Sequence, residues 1–446
     1  MARRQPGPPA ADAARHQGLA FTGADLKIAI VGGGLSGLAA AWLLGRGHDV
    51  TLYERQARPG FTAASVAAPR TQERIDVPLR VFYPGYYPTL TRLYDALGVA
   101  SEPVSYAASF SGADGRLYFR YRNLRWRDQS LGWLAPQDLL LGPAARQILR
   151  GLLRFQRQTV PALQRGELAG HTVGSLVQGY PPDFVDGFLL PAICTVCTCT
   201  ADAARAFPAE VIVDYLARGL LRQSVRRALA GADDVEQRLR QGIPALHCAA
   251  PVRAVQPQAQ GVVLHLADGT QAPYEQVVIA TQANQARALL ADEQFAEAQV
   301  LAAFRYQPVT VFTHTDAALM PTRRRDWSPV NLRVLPGGAA PESTIWVNAV
   351  QPVLRAAADV FQTVHPQRRP RAGTLIGEAQ FERPVVDARS RAALQQLQAL
   401  HAQPGRRLWF CGSYAQAGIP LLESAVRSAD DVARRWGQGL RADHSA

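Results

Sequence analysis

A glycine-rich turn between a buried strand and a helix constrains the folding of this chain more than any other feature. Leu26-Lys27-Ile28-Ala29-Ile30-Val31 is a run of aliphatic and β-branched residues, the composition of a strand buried on both faces of a parallel sheet. Gly32-Gly33-Gly34-Leu35-Ser36-Gly37 follows at once, then a helical stretch from Leu38 to Arg46 that keeps Leu38, Trp42 and Leu43 near one face and stops at Gly45 and Gly47. A second strand, Val50-Thr51-Leu52-Tyr53, closes on Glu54, 20 residues after Gly34.

Each glycine has a physical task in such a unit. Gly32 permits the tight turn out of the strand, Gly34 lets the backbone approach a pyrophosphate, and Gly37 lets the helix pack closely on the sheet. Phosphates then meet the free N–H groups of Leu35 and Ser36 and the positive end of the helix dipole. The acid ending the second strand accepts from ribose hydroxyls, with Arg55 beside it. A βαβ unit that binds nothing is set aside, because strand, glycines, helix, second strand and acid coincide. The unit predicts a dinucleotide and does not separate nicotinamide from flavin.

Two distant segments bear on that choice. Ala250-Pro251-Val252-Arg253-Ala254-Val255, Val262–Leu266 and Gln276–Ala280 read as three strands, with an Asp268-Gly269 hairpin turn between them. Arg407–Cys411 reads as a strand, Gly412-Ser413 as a turn, and Gly418-Ile419-Pro420-Leu421-Leu422 as the start of a helix that runs to about Trp436, with Pro420 in its first turn. Together with the glycine turn, these segments resemble the flavin-containing amine oxidase and phytoene desaturase superfamily, in the family's order from about Asp25 to Trp436. The resemblance implies an α/β fold: a Rossmann-type FAD-binding domain assembled from residues 25–90, 240–300 and 400–440. A substrate domain of mixed sheet and helices is inserted as residues 91–239 and 301–399. It implies that Val252 holds the adenine through its backbone, that Gly412 and Ser413 lie by the pyrophosphate and ribityl chain, and that Leu421 and Leu422 aim helix N–H groups at the flavin N1–O2 edge. Negative charge on reduced flavin suits a helix N-terminus there. The flavin is expected to be non-covalent, because Cys411 ends a strand beside the ribityl chain.

The chain departs from the familiar amine oxidases. After the ribose acid, Glu54-Arg55-Gln56-Ala57-Arg58-Pro59-Gly60 carries one glycine where they carry a Gly-Gly-Arg segment. Lys27 is the only lysine, so no lysine is available near the flavin or for a Schiff base. These departures point away from amine oxidation. The chain is more similar to the FAD oxidoreductases grouped with fatty-acyl desaturase-like enzymes, through Ile75–Tyr87, Tyr94–Val99, His314-Thr315-Asp316, Met320-Pro321, Trp327, Asn331 and Thr344–Gln351.

Composition narrows the remaining classes. In 446 residues, 48% apolar and 19% charged is ordinary for a globular protein with a sizeable core. The net charge of +12 is almost all arginine. It is scattered, with no basic helix interleaved with aromatics, so nucleic acid is not an expected partner. An acidic substrate, an acidic carrier protein or a membrane surface fits better. Ala144–Arg157 reads as an amphipathic basic helix with one face on the core and a membrane-surface role as the alternative. Residues 1–24 lack an apolar signal core and read as a disordered arm. The odd count of five cysteines fits a reducing cytoplasm better than a disulfide framework.

Cys194-Thr195-Val196-Cys197-Thr198-Cys199 crowds three thiols without the spaced second pair of a zinc site. It reads as a buried turn between helices or as a thiol lining a cavity, and no metal is expected. Tyr83, Tyr86 and Tyr87 follow Arg80 in the stretch that the family sets against the flavin ring, where aromatics either cage a substrate or pack the cavity. Arg80 suits an anionic flavin or a carboxylate. Cys197 and Tyr86 are the catalytic candidates, as side chains that line the substrate cavity. His247 and His265 read as sheet residues, and no acid–base pair stands out. The reading is FAD-dependent hydride abstraction from a hydrophobic small molecule, an acyl chain or natural-product intermediate. A redox-neutral isomerase of a fatty acid or polyene and a non-catalytic FAD binder are the alternatives.

Overall fold

The computed structural model describes residues 25–126, 129–139, 142–218, 224–290, 295–355 and 357–440; the expected arm at 1–24 lies outside them. Its centre is a five-stranded parallel sheet, ordered Ala245–His247, Asp49–Tyr53, Lys27–Val31, Gln276–Ile279, Leu408–Phe410. Ile28, Ala29 and Ile30 are fully buried, because helices and other strands cover both faces of this sheet.

The glycine-turn helix is Leu35–Leu44, three residues earlier than expected, and it ends at Gly45. Its side chains are buried on nearly every side, since the C-terminal helix Leu422–Arg434 covers the face away from the sheet. That explains why a clean amphipathic stripe is absent. The expected third strand, Gln276–Ile279, joins the parallel sheet. The strand that pairs across the Asp268-Gly269 turn is Gln271–Tyr274, in a three-stranded antiparallel sheet with Val252–Gln258 and Gly261–Leu266.

The second large layer has eight strands, ordered Leu375–Pro384, Tyr306–His314, Phe361–Val364, Glu342–Trp346, Val330–Arg333, Ala108–Ser111, Leu117–Trp126, Gln129–Trp133. It is antiparallel except where Val330–Arg333 meets Ala108–Ser111. Polar side chains buried on this sheet satisfy one another: Thr344 Oγ1 bonds Thr363 Oγ1 at 2.9 Å, and His314 Nε2 meets the same hydroxyl at 2.8 Å. The basic helix spans Pro143–Arg154 and continues through a π-helical turn, Phe155–Thr159, burying Ala145, Ile148 and Gly151.

The C-terminal helix begins at Leu422 with Leu421 as its N-cap, so Pro420 precedes it. Glu423 in its first turn is buried. Its carboxylate accepts from the N–H groups of Thr89 and Leu90, at 2.9 to 3.1 Å. These donors open the helix Pro88–Leu97, so the acid of one helix caps another.

Candidate functional site

A groove of about 1070 Å³ opens along the glycine turn and continues between the parallel sheet and the eight-stranded sheet. Val31, Gly32, Gly33 and Gly34 form one end, Glu54, Arg55 and Val252 the flank, and Pro308–Thr310 with Glu378–Glu382 the opposite wall.

The glycines differ in what surrounds them. Gly32 holds φ at +109°, a conformation that a side chain resists. A Cβ at Gly37 would lie 1.9 Å from the Gly32 carbonyl oxygen and 3.1 Å from the Ala280 Cβ, so helix and strand meet there without room for a methyl. At Gly34 nothing lies within 4 Å of the Cβ position. That space faces the groove beside the helix N-terminus, the place where a pyrophosphate needs backbone access.

Glu54 is buried at the end of its strand. Its Oε2 accepts from the Gly33 N–H at 2.7 Å and its Oε1 from the Gln56 N–H at 2.8 Å. A carboxylate has about four lone-pair positions, so each oxygen retains capacity toward the groove. Glu54 thereby links the glycine turn to the second strand as well as presenting an acceptor. The sequence suggested the acceptor and missed the link.

Five of the expected cofactor residues, Gly32, Gly34, Glu54, Arg55 and Val252, line this one groove. Leu35, Ser36 and Gly37 lie buried in the helix behind it. Gly412 follows the strand Leu408–Phe410 with φ +155°, and its N–H is taken by Ser428 Oγ at 2.9 Å, while Ser413 beside it is half-buried. Leu421 and Leu422 are half-buried at the head of the C-terminal helix, and the Leu421 N–H is directed back to the Ile419 carbonyl at 2.7 Å. Leu422 is thus the first of the pair free of that turn. Cys411 is fully buried, and burial pushes its thiol up to about 12.

Arg80 has partners within the protein. Its guanidinium stacks over the Phe61 ring at 4.1 Å and donates to the Phe61 carbonyl, and the charge of Asp76 works against the effect of its burial. It is not among the groove-lining residues. A guanidinium covering an aromatic face and donating to a carbonyl is held locally, which the sequence spacing did not reveal. Its Nε remains buried without a partner among the described residues.

Tyr86 and Cys197 lie near one another, behind the turn that leads into the C-terminal helix. The Tyr86 hydroxyl accepts from the Ile419 N–H at 3.0 Å, and burial pushes its pKa up to about 12. Its ring packs against Tyr83, Tyr87 and Tyr215 at centroid distances of 4.8 to 6.2 Å. Cys194 and Cys197 are buried in the helix Leu190–Cys197. Thr198 turns left-handed, and the Cys199 N–H bonds the Cys194 carbonyl at 3.1 Å. The expected buried turn between helices is therefore what the cysteines form, with the helix Ala201–Ala206 following. The Cys199 sulfur is held low by the neighbouring Cys194 and Cys197 thiols, which are themselves pushed up. Arg383 donates to the Cys197 carbonyl at 3.5 Å and to the Pro420 carbonyl at 3.2 Å, tying the cysteine turn to the head of the C-terminal helix. Among the described residues no group of His, Cys, Asp or Glu is arranged to hold a metal ion. His247 and His265 sit on sheet strands as expected.

Fold and groove define a protein built on a Rossmann-type dinucleotide unit: residues 30–97 match the model of the NAD(P)-binding Rossmann-like domain. The full architecture is shared with solved structures at low identity. A fatty acid isomerase from P. acnes that produces CLA has a TM-score of 0.61 and 15% identity, with 92% of this chain and 98% of that one covered. Cyclohexylamine oxidase from Brevibacterium oxydans has a TM-score of 0.59 at 15% identity, with the same coverage. Reduced UDP-galactopyranose mutase has 0.58 at 13%, covering 91% and 95%. A search of curated protein sequences finds no match.

Proposed function

We propose that this protein is an FAD-dependent oxidoreductase that removes a hydride from a hydrophobic small molecule, an acyl chain or natural-product intermediate. The observation that carries the reading is the single groove joining Gly32–Gly34, Glu54 and Val252 to the space between the two sheets. The residues present fit the cofactor: the Cβ position of Gly34 is open, and the glycine turn leads into the N-terminus of a buried helix.

FAD, when bound, supplies the hydride acceptor, and the chain supplies position and field. Gly32–Gly37 would hold the pyrophosphate against backbone N–H groups, Glu54 would accept from the ribose, and Val252 would meet the adenine. Leu421 and Leu422 head a helix of 13 residues, whose positive end favours negative charge on the reduced ring. The reading keeps the flavin non-covalent, because the buried Cys411 is enclosed by the strand end and Ser36. It groups residues 25–90, 240–300 and 400–440 around the cofactor, and 91–239 and 301–399 around the substrate.

Anaerobic mixing with candidate acyl and polyene substrates tests it. Persistent bleaching of a yellow protein supports the proposal. Product formed without bleaching assigns isomerisation instead. A purified protein that is colourless and takes up no FAD overturns the cofactor reading itself.

A further inference from the structure

We propose that the outward face of the basic helix Pro143–Arg154 and its π-helical continuation docks the protein on an anionic lipid bilayer. Arg146, Arg150 and Leu153 recur at i, i+4 and i+7 on one stripe, and Arg154 and Arg157 extend it; all five are exposed. The opposite face, Ala145, Ile148 and Gly151, is spent on the core. Gly151 lies so close to Phe184 that a Cβ there would come within 2.2 Å of the ring. The helix therefore cannot turn its apolar face outward, and what it presents is positive charge around one leucine, 47% exposed.

The charge is unopposed along the segment. No acidic residue occurs between Asp138 and Glu167. No ion pair joins Arg146, Arg150 or Arg157 to another described residue, while Arg154 is occupied by Gln158, the Gly179 carbonyl and the Tyr180 ring. Acids on the packed elements are Asp138, buried and held by Arg120 and Arg122, the exposed Asp183 on the turn that carries Phe184, and the exposed Asp186, which is paired with Arg205 at 2.6 Å. The helix also packs on the strand Leu117–Trp126. That strand and its hairpin partner carry the exposed Leu124 and Trp133, 53% and 45%. A single exposed leucine on a stripe of arginines suits a bilayer surface, where leucine enters the headgroup region while guanidinium groups meet phosphates. A diffuse anionic surface requires charge density and no shaped pocket, and the exposed arginines of this face supply that charge.

The inference is independent of the proposed activity, because its readout is partition. The intact protein is sedimented with vesicles of phosphatidylcholine, with and without phosphatidylglycerol. It should pellet with the anionic vesicles alone and be released at high salt, where the screening length shrinks to roughly 3 Å at 1 M. The triple variant Arg146→Gln, Arg150→Gln, Arg157→Gln should partition about a hundredfold less, from roughly fivefold per arginine. Its unfolding temperature should be unchanged, since those side chains make no ion pairs. Leu153→Ser should weaken binding by a smaller factor. Equal pelleting with neutral vesicles, no pelleting, a triple variant that binds like wild type, or capture by an acidic carrier protein in place of vesicles would each overturn it.

Discussion

At the scale of single residues, the two ends of the glycine turn separate folding from binding. Gly37→Ala places a methyl on the Gly32 carbonyl, and neither backbone segment is free to move, so the apo-protein should lose about 1–3 kcal/mol or more of stability. Gly34→Ala meets nothing, so apo-protein stability should hold while FAD affinity falls. Chemical unfolding of apo-protein beside FAD titration reads both; a Gly34→Ala protein with unchanged FAD affinity would place the cofactor elsewhere. Glu54→Ala should weaken FAD by about 1–3 kcal/mol through the lost ribose contact. It also frees the Gly33 N–H, so Glu54→Gln, which keeps an acceptor there, should be milder. These residues were legible in the sequence because a βαβ unit is local: strand, turn and acid lie within about thirty positions. Arg80 was not, because its partners, the Phe61 ring and Asp76, are fixed by how neighbouring loops fold together.

At the scale of elements, two histidines couple folding to pH. His401, near the end of Ala388–His401, accepts from the Phe410 N–H at 3.2 Å, and burial, with Arg406 and Arg435 nearby, lowers its pKa to about 3. His314 is lowered to about 4 by burial. Both are neutral in the fold and protonate in the unfolded chain below about 6.5. Their contribution is therefore whole above that pH and is lost as pH falls toward the folded values. Each costs about 1.4 kcal/mol per pH unit through that window. Asp316, held far below the carboxylate range by Arg371 and Arg368 despite its burial, adds to the same loss only at the acid end of the window, as the unfolded carboxylate begins to protonate below about pH 5. Asp76, Glu236 and Asp431, pushed up by burial, oppose the slope as pH nears the carboxylate range. The clean measurement is thus a difference. Urea midpoints of wild type and His401→Gln should diverge with pH between about 6 and 4, the variant losing less; parallel curves would mean that His401 protonates within the fold.

At the scale of the whole molecule, the groove has walls from segments far apart in sequence. Gly32–Gly34 faces Pro308–Thr310 and Glu378–Glu382 across it, and no motif marks those two strands. The edge strand Leu375–Pro384 pairs with Tyr306–His314 over nearly its whole length, a pattern of alternating exposure shared with any sheet edge. Sequence therefore disclosed the half of the site that local backbone geometry builds, and left the half that tertiary packing builds unread. The same division predicts a linkage. A ligand lodged between the parallel sheet and the eight-stranded sheet binds only when both are formed, so FAD should stabilise the two layers together. At a hundredfold excess over its dissociation constant the gain is about 2.7 kcal/mol. Hydrogen exchange of apo- and FAD-loaded protein checks where it falls. Protection should rise in Lys27–Val31 and in Tyr306–His314 alike, and FMN, lacking the adenylate that Glu54 and Val252 would hold, should raise it less in the parallel sheet. Protection confined to Lys27–Val31 would mean that the cofactor occupies the glycine turn without reaching across to the second sheet.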